Sequence, residues 1–292
     1  MKKILFIINR KAGTDRQKRL DGAISRYFPA TEYSVEITHL AYLGHGKDLA
    51  AEAVKNGVHT VVAVGGDGSI NEIAQGLVGT DTALAIIPLG SGNGLARALK
   101  IPLDVNKALQ LIVANKQKTM DVGFANEHLF LSNAGVGFDA LVAEEFRHTT
   151  KRGLYGYAKL VIQRFNSYSP EAYTINIDGK QLEEKAFLLT VANGNQFGYE
   201  FKLAPGASVF DGMLDICIMP PVKFLELIPV SLYSLKGNID KTRYLKHYTG
   251  KTITITGNSL EFLQVDGDAV PFTGNEVMLR VQEKAIRVVV NS

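Results

Sequence analysis

The segment that decides the fold reads TVVAVGGDGSINE and occupies residues 60–72. It begins with Thr60–Val64, an apolar run typical of a buried strand, and continues directly into a glycine-rich loop. Glycine lets the backbone turn sharply and brings bare N–H groups close to an anion. A helix after the loop would add the positive end of its dipole, so the segment predicts a phosphate site.

Asp67 stands inside this loop, where a carboxylate would repel a phosphate. Its presence is explained if a divalent cation, usually Mg²⁺, lies between the two groups. The alternative that the residues leave open is a plain glycine turn, in which Asp67 caps a helix that begins near Ser69 and runs through Ile70–Leu77.

Two further segments repeat the order of strand and loop. The strand Ala83–Pro88 precedes the glycine-rich residues 89–94, and the strand Ile4–Ile8 precedes residues 9–13. Loops at the carboxyl ends of neighbouring parallel strands face one crevice, where open α/β sheets bind ligands. None of these loops has the P-loop or the dinucleotide-binding spacing, so the pattern predicts a nucleotide site of another kind.

The two halves of the chain differ in pattern. Residues 1–125 alternate short apolar strands with helical patterns, which predicts an α/β nucleotide-binding domain of three layers around a parallel sheet. Residues 126–292 predict a mostly antiparallel β-sandwich, with helical patterns near 153–166 and 222–236, and the last strand can return to the first domain. We expect the active site in the cleft between the domains. The turn dipeptides of the second half are Asp178-Gly179, Gly257-Asn258 and Asp266-Gly267.

The composition limits the class of protein. Of the 292 residues, 46% are hydrophobic and 21% are charged, and the single cysteine, Cys217, excludes an intramolecular disulfide and predicts a buried thiol. The apolar run at the N-terminus is too short for an export signal, and no stretch approaches the roughly 18 to 20 apolar residues of a spanning helix. We therefore expect a cytoplasmic protein, peripheral to the inner face of the membrane, whose net charge of +3 does not indicate nucleic acid as a partner.

Several blocks resemble the diacylglycerol kinase and sphingosine kinase family, which shares its catalytic core with NAD kinases. They follow the family's order along nearly the whole chain and comprise residues 65–68, 90–97, 132–140, 210–216 and 265–268. The resemblance implies an ATP-dependent lipid kinase that works on a lipid substrate at the membrane surface. Diacylglycerol is the first choice of acceptor and a sphingoid base the second. The sequence does not indicate an oligomeric state.

The resemblance also implies roles for single residues. Asp67 would serve the ATP–Mg²⁺ centre, and Asp121 would join a hydrogen-bonded network around that metal. Ser208, Asp211 and Met213 match a second Mg²⁺ site, the first and last through backbone carbonyls. Asp268 would be the general base, or Asp67 if the geometry favours it. The positions that would bind ATP are Asn9, Arg10, Lys11, Ala12, Gly13, Thr38, Gly65, Gly66, Asp67, Gly68, Ser69, Asn71, Glu72, Ser91, Gly92 and Asn93.

Three residues depart from the family pattern. Arg10 replaces a proline, Ser69 replaces a threonine, and Asp268 replaces a glutamate and so shortens the carboxylate by one methylene. The alternatives are a kinase of a soluble acceptor such as NAD, a nucleotide-binding regulatory protein without catalysis, and, for residues 266–268, an inert hairpin turn.

Two segments offer candidate lipid contacts. Residues 222–236 form an apolar, helix-like run interrupted by Pro229, which predicts either a wall of an acyl-chain pocket or core packing. Basic and aromatic residues between Arg147 and Arg164, among them Lys151 and Arg152, predict either an interfacial patch or a solvated helix face.

Overall fold

The computed structural model describes residues 1–10, 12, 20–149, 153–197 and 200–291. The chain forms two compact units. The first comprises Met1–Met120 and the C-terminal segment Glu283–Ser292, and the second comprises Asp121–Gln282.

The first unit is built on a parallel sheet. Its order is β2-β1-β3-β4, and the C-terminal part of β14 continues it through Val288, which lies opposite Leu84. Strands β3 and β4 and most of β1 are apolar and buried on both faces, whereas β2 at the edge of the sheet is largely half-exposed or exposed. Their bounds are β1 Lys2–Ile8, β2 Tyr33–His39, β3 Thr60–Gly65, β4 Ala83–Pro88 and β14 Asp268–Val289.

Helices cover both faces of this sheet, which confirms the predicted three-layer α/β architecture. Ile24 and Leu109 from two of them share a core with Phe6 of β1. The alternate strand residues, such as Ile7 and Ala63, are buried on the other face, where α2 and α3 pack together. The helices of this unit are α1 Leu20–Tyr27, α2 His45–Lys55, α3 Asp67–Gln75, α4 Gly94–Ala98 and α5 Val105–Ala114.

Helix α3 begins earlier than the sequence indicates. Its first residue is Asp67, and the Ile70 N–H donates to the Gly66 carbonyl at 3.0 Å. The predicted start near Ser69 was therefore wrong, because glycines lower helix propensity but do not prevent a helix that packs on a sheet. Asp67 is also not the helix cap: Gly66 takes that position, and no side chain caps it.

The second unit is an antiparallel β-sandwich, as predicted. One sheet path runs β12-β11-β10-β7-β13-β14, and β8 and β9 join it at β13. Its core includes Ile175, Leu189, Ile216 and Leu279. The remaining strands are β5 Gln117–Ala125, β6 His128–Phe130, β7 Asn133–Gly137, β8 Glu171–Ile177, β9 Lys180–Ala186, β10 Leu188–Ala192, β11 Leu214–Met219, β12 Lys246–Gly250 and β13 Thr252–Val265.

The predicted turn at Gly257-Asn258 was wrong. Strand β13 runs through both residues, and its register against β14 shifts between Thr256 and Leu260 and again before Phe262. A shift of this kind bends a strand without ending it, and a glycine tolerates it.

Three helices cover the outer face of β10 and β11, where Leu188, Cys217 and Met219 lie in a second core. Cys217 is fully buried, as predicted. In the described residues we find no helix that is both long and apolar enough to cross a membrane. The helices are α6 Phe138–Arg147, α7 Leu154–Phe165 and α8 Leu227–Lys236, with short 3₁₀ turns at Phe224–Glu226 and Ile239–Lys241.

Candidate nucleotide-binding and catalytic sites

The two glycine loops of the first unit touch each other. They follow the neighbouring strands β3 and β4, and the Leu89 N–H donates to the Gly65 carbonyl at 2.8 Å. A Cβ atom placed on Gly90 would lie 2.6 Å from the Gly66 Cα. Only glycine permits so close an approach of two backbones, and the approach brings the N–H groups of both loops to one point.

Asn9, which follows β1, connects the end of β3 to the start of helix α3. The Asn9 N–H donates to the Val64 carbonyl at 2.9 Å, and its side-chain Nδ2 donates to the Ser69 Oγ at 2.8 Å. Serine supplies the hydroxyl that this bond needs, so the change from the family's threonine keeps the contact. Arg10 is exposed, and the predicted ATP contacts Lys11 and Gly13 lie outside the described residues.

Asp67 faces the second loop. A Cβ atom on Gly92 would lie 3.1 Å from the Asp67 Oδ2. Asn93 adopts a left-handed conformation, φ 53°, and holds the loop by donating from Nδ2 to the Gly90 carbonyl at 2.8 Å. The carboxylate therefore lies at the N-terminus of α3, next to the meeting point of the glycine loops.

The other predicted ATP contacts are more dispersed. Glu72 turns towards α2, where its Oε2 accepts the Gly46 N–H at 3.3 Å, and the Asn71 Oδ1 accepts from Gln75 at 2.8 Å. Thr38 lies on β2, opposite Ile7 of β1. The glycine loops therefore lie around Asp67. Glu72 instead contacts the neighbouring helix α2.

We expect Gly90→Ala to weaken nucleotide binding severely. The added Cβ would collide with backbone rather than with a flexible side chain, so the two loops must separate. A misplacement of about 1 Å costs on the order of 100-fold in catalytic rate, and we expect a loss of nucleotide affinity of similar size. Isothermal titration with a non-hydrolysable ATP analogue measures the effect.

The matched control for this variant is Gly22→Ala on α1, where an added Cβ meets nothing within 4 Å. If Gly90→Ala and Gly22→Ala bound the ATP analogue equally well, the close approach of Gly66 and Gly90 would not be needed for nucleotide binding.

In the second unit, the predicted metal ligands lie around one loop. Asp121 lies in β5 and is the first residue of the second unit. Its side chain is buried, and its Oδ2 accepts the Gly212 N–H at 2.8 Å. The Oδ1 of Asp211 accepts the Met213 N–H at 3.1 Å, and the Ser208 Oγ accepts the Phe210 N–H at 3.3 Å. The four predicted residues therefore belong to one hydrogen-bonded neighbourhood.

The charges of this loop suit a cation. Burial raises the pKa of Asp211, and the nearby carboxylates of Asp215 and Asp121 raise it further. Oxygen ligands of this kind are what Mg²⁺ prefers. Across the described part of the chain, no three His, Cys, Asp or Glu side chains are grouped as a metal cage. A Mg²⁺ ion that travels with a nucleotide needs only one or two carboxylates.

The predicted base Asp268 follows a two-residue hairpin turn. Asp266 and Gly267 both have positive φ, 49° and 92°, and Asp268 begins β14 opposite Val265, with its side chain exposed. The structure places the turn where the sequence predicted it.

Asp266 is the residue that sequence reasoning missed. Its carboxylate accepts three backbone N–H groups, from Leu131 at 2.8 Å, Ser132 at 2.7 Å and Asn133 at 3.2 Å. Leu131 and Ser132 connect β6 to β7, and Asn133 is the first residue of β7, so the turn fixes the start of the block 132–140. A carboxylate two residues before a predicted base was a visible signal, but its partners are more than 130 residues away.

Asp139 is a second buried carboxylate that was not singled out. It accepts from the Thr190 Oγ1 at 2.9 Å and from the Ala140 N–H at 3.0 Å. Burial raises its pKa from 3.8 to about 7, and the two hydrogen bonds limit the rise. The group therefore exchanges its proton near neutral pH.

We expect the stability of the protein to fall as the pH rises from about 4 to about 7. In that window the folded state holds the Asp139 proton and the unfolded state has released it, so each rise in pH favours unfolding. The total loss is on the order of 4 kcal/mol and levels off above pH 7. Urea midpoints at pH 4 and pH 8 measure it.

Asp139→Asn should reduce this pH dependence, whereas Asp104→Asn, at the cap of α5, should leave it unchanged. An Asp139→Asn protein with the wild-type difference between the two midpoints would refute the assignment.

The structure shows the contacts of the two segments that offered candidate lipid contacts, 147–164 and 222–236. Arg164 pairs with Glu145 at 2.7 Å and Arg147 with Glu144 at 3.5 Å, while Lys151 and Arg152 lie outside the described residues. Pro229 does not interrupt α8, because it lies in the first turn, where a missing N–H is tolerated. The outer residues of that helix are exposed, so core packing describes only its inner side.

Comparison with known proteins identifies the family. The diacylglycerol kinase catalytic domain matches residues 3–125, and the YegS C-terminal NAD kinase beta sandwich-like domain matches residues 132–290. The diacylglycerol kinase of Bacillus subtilis (strain 168) is 28% identical over 273 residues, covering 92% of this chain and 90% of the relative. A Pseudomonas aeruginosa (strain UCBPP-PA14) protein named probable lipid kinase YegS-like is 30% identical over 291 residues, which cover 98% of this chain and 93% of that protein.

A solved structure supports the fold. A crystal structure described as a diacylglycerol kinase from Bacillus anthracis str. Sterne superposes with a TM-score of 0.77 at 22% identity, covering 99% of this chain and 97% of that one. The domain matches and the relatives agree on a lipid kinase. The chain belongs to the family of diacylglycerol kinases and YegS-like lipid kinases, and its enzyme class is ATP-dependent lipid kinase.

Proposed function

We propose that the protein transfers the γ-phosphoryl group of ATP to the free hydroxyl of diacylglycerol and so forms phosphatidic acid. The observation that carries the proposal is the meeting of two glycine loops at Gly66 and Gly90 beside Asp67. The choice of acceptor is supported by similarity, over 92% of this chain, to a relative named diacylglycerol kinase.

The residues of the first unit bind and orient the nucleotide. Backbone N–H groups of the two glycine loops and of the first turn of α3 hydrogen-bond the phosphates. Asp67 is the ligand that would hold Mg²⁺ against them. The family resemblance implies a second Mg²⁺ site, which Ser208, Asp211 and Met213 would form. When bound, Mg²⁺ neutralises phosphate charge and stabilises the charge that develops during transfer.

The acceptor hydroxyl is activated by a carboxylate. Asp268 takes the proton from the hydroxyl as its oxygen forms a bond to the γ-phosphorus. The bond between the γ-phosphorus and the bridging oxygen breaks, and ADP leaves with that oxygen. Phosphoryl transfer needs little else from the protein than position and charge.

The acceptor is tested with radiolabelled ATP and Mg²⁺ against lipids in mixed micelles: diacylglycerol, sphingosine and ceramide, with NAD as a soluble comparison. Label in diacylglycerol is the expected result. Label in sphingosine alone would replace the acceptor, and label in NAD alone would overturn the lipid kinase assignment.

We expect Asp268→Asn to lower kcat by about 100-fold or more, the usual contribution of a general base. Loss of the base should also remove the acidic limb of the pH–rate profile, which a purely structural change would leave in place. Asp268→Glu restores the residue typical of the family and should keep at least wild-type activity. Wild-type turnover in Asp268→Asn would make the turn inert.

We further propose that the enzyme meets its substrate as a peripheral protein on the inner face of the membrane. Its acceptor is embedded in a bilayer, and the described residues include no helix that could cross one.

A further inference from the structure

The outer side of α8 exposes a row of large apolar side chains, which we call the α8 ridge. It consists of Leu225, Ile228, Leu232 and Leu235, with 75%, 63%, 53% and 48% of their surface exposed. The last three are spaced by four and three residues and so share one helix face. Leu225 extends the row from the 3₁₀ turn before the helix.

The opposite side of the same helix is also apolar and is buried. Val230 packs in the core formed with β10 and β11, and Leu227 flanks that core. Phe224 packs edge-on against Phe165 of α7, with ring centroids 5.6 Å apart. The helix is thus apolar on both sides. A helix of this type is normally covered all round, by protein or by lipid.

The chain around the ridge is basic. Residues 221–250 contain five lysines and arginines and two acidic residues, a net +3 that equals the charge of the entire chain. Two of the five basic groups are already paired, Arg243 with Glu226 at 2.7 Å and Lys246 with Glu184 at 2.7 Å. The basic residues are Lys223, Lys236, Lys241, Arg243 and Lys246, all exposed.

This charge selects between two possible covers for the ridge. A second copy of the chain on a two-fold axis would set two basic segments against each other, which is unfavourable. An anionic lipid surface attracts the same segment, because each basic residue near it strengthens binding by about fivefold. Apolar side chains flanked by lysines are the arrangement with which peripheral proteins enter the headgroup region.

We propose that the α8 ridge is the membrane-docking surface of this enzyme. It inserts into an anionic lipid surface, and the surrounding lysines and arginines bind the headgroups. The inference rests on the proposed function in one respect: an enzyme with a bilayer-embedded acceptor must reach the bilayer.

The test is sedimentation with vesicles of phosphatidylcholine containing 30% phosphatidylglycerol, without ATP. The double variant Leu225→Ser/Ile228→Ser should bind at least about 10-fold more weakly, because each exposed leucine or isoleucine contributes about tenfold on full burial in lipid. The double variant Lys236→Glu/Lys241→Glu should lose at least about 25-fold, and raised salt should weaken wild-type binding.

Matched controls come from the first unit. The control for the apolar variant is Leu43→Ser/Val113→Ser, in which Leu43 is 92% exposed. The control for the charge variant is Lys55→Glu/Lys107→Glu, which changes the net charge by the same amount at two exposed lysines. Both should bind vesicles like the wild type. Equal binding by all variants would overturn the proposal, and so would a wild-type dimer that becomes monomeric in Leu225→Ser/Ile228→Ser.

A second assay separates this proposal from the proposed function. With a short-chain diacylglycerol dissolved as monomers, the ridge variants should retain wild-type kcat and lose activity only on vesicles. Wild-type binding to vesicles without phosphorylation of any lipid would sink the proposed function and leave the docking surface in place. Loss of activity on the monomeric substrate would overturn the docking proposal.

Discussion

We expect Asp67→Asn to lower kcat on the order of 1000-fold without unfolding the protein. The carboxylate lies at the first residue of α3, with its Oδ2 beside Gly92 and next to the two touching glycine loops. A negative group at a phosphate site is unfavourable unless it holds a cation, so the variant removes the ligand on which charge stabilisation depends. Groups that stabilise transition-state charge contribute effects of this size.

The amide of asparagine has nearly the size of the carboxylate and leaves the helix start unaltered. A matched control is Asp104→Asn at the N-cap of α5, where asparagine caps as well as aspartate. Turnover is measured with saturating ATP over a Mg²⁺ titration. Activity within tenfold of wild type at every Mg²⁺ concentration would exclude Asp67 from the metal centre.

Asp266→Ala should lower the free energy of unfolding by about 3 to 5 kcal/mol. Three backbone N–H groups that its carboxylate accepts belong to buried residues, Leu131, Ser132 and Asn133. Each buried donor left without a partner costs about 1 to 3 kcal/mol. The chain has no tryptophan and 11 tyrosines, so urea unfolding is followed by tyrosine fluorescence.

The chain contains its own control for this prediction. Asp178 occupies the same position of the other Asp-Gly hairpin, φ 48°, and also accepts backbone N–H groups, those of Lys251 and Thr252. Its surroundings are exposed, so water replaces the lost acceptor and Asp178→Ala should cost about 1 kcal/mol. Equal losses in the two variants would contradict the explanation by burial.

Asp-Gly and Gly-Asn signals show how far local sequence carries. Asp178-Gly179 and Asp266-Gly267 form turns, because both residues of each pair adopt positive φ. Gly257-Asn258 has a similar composition but continues strand β13, which pairs with β8 before it and with β14 on both sides of it. Pairing along two strands outweighs a local turn preference, and a single sequence does not contain that information.

Helix α6 is an element that the local sequence signals did not predict. Its residues Phe138–Arg147 follow directly on β7, without the polar cap that marks a helix start in a sequence. Gly137, at φ 93°, makes the change from strand to helix. The block 132–140 was identified only by its resemblance to the family, and helix α6 was not predicted.

The sequence by itself determined the α/β and β-sandwich halves, the glycine loops after β3 and β4, and Asp67 as their acidic member. These features depend on residues close together in the chain, where apolar runs, glycines and helix starts follow one another. The tertiary structure decided which groups meet across long separations: Gly66 with Gly90, Asn9 with Ser69, and Asp266 with residues 131–133. It also decided that the outer side of α8 is exposed, because burial depends on what packs against a helix and not on its sequence alone.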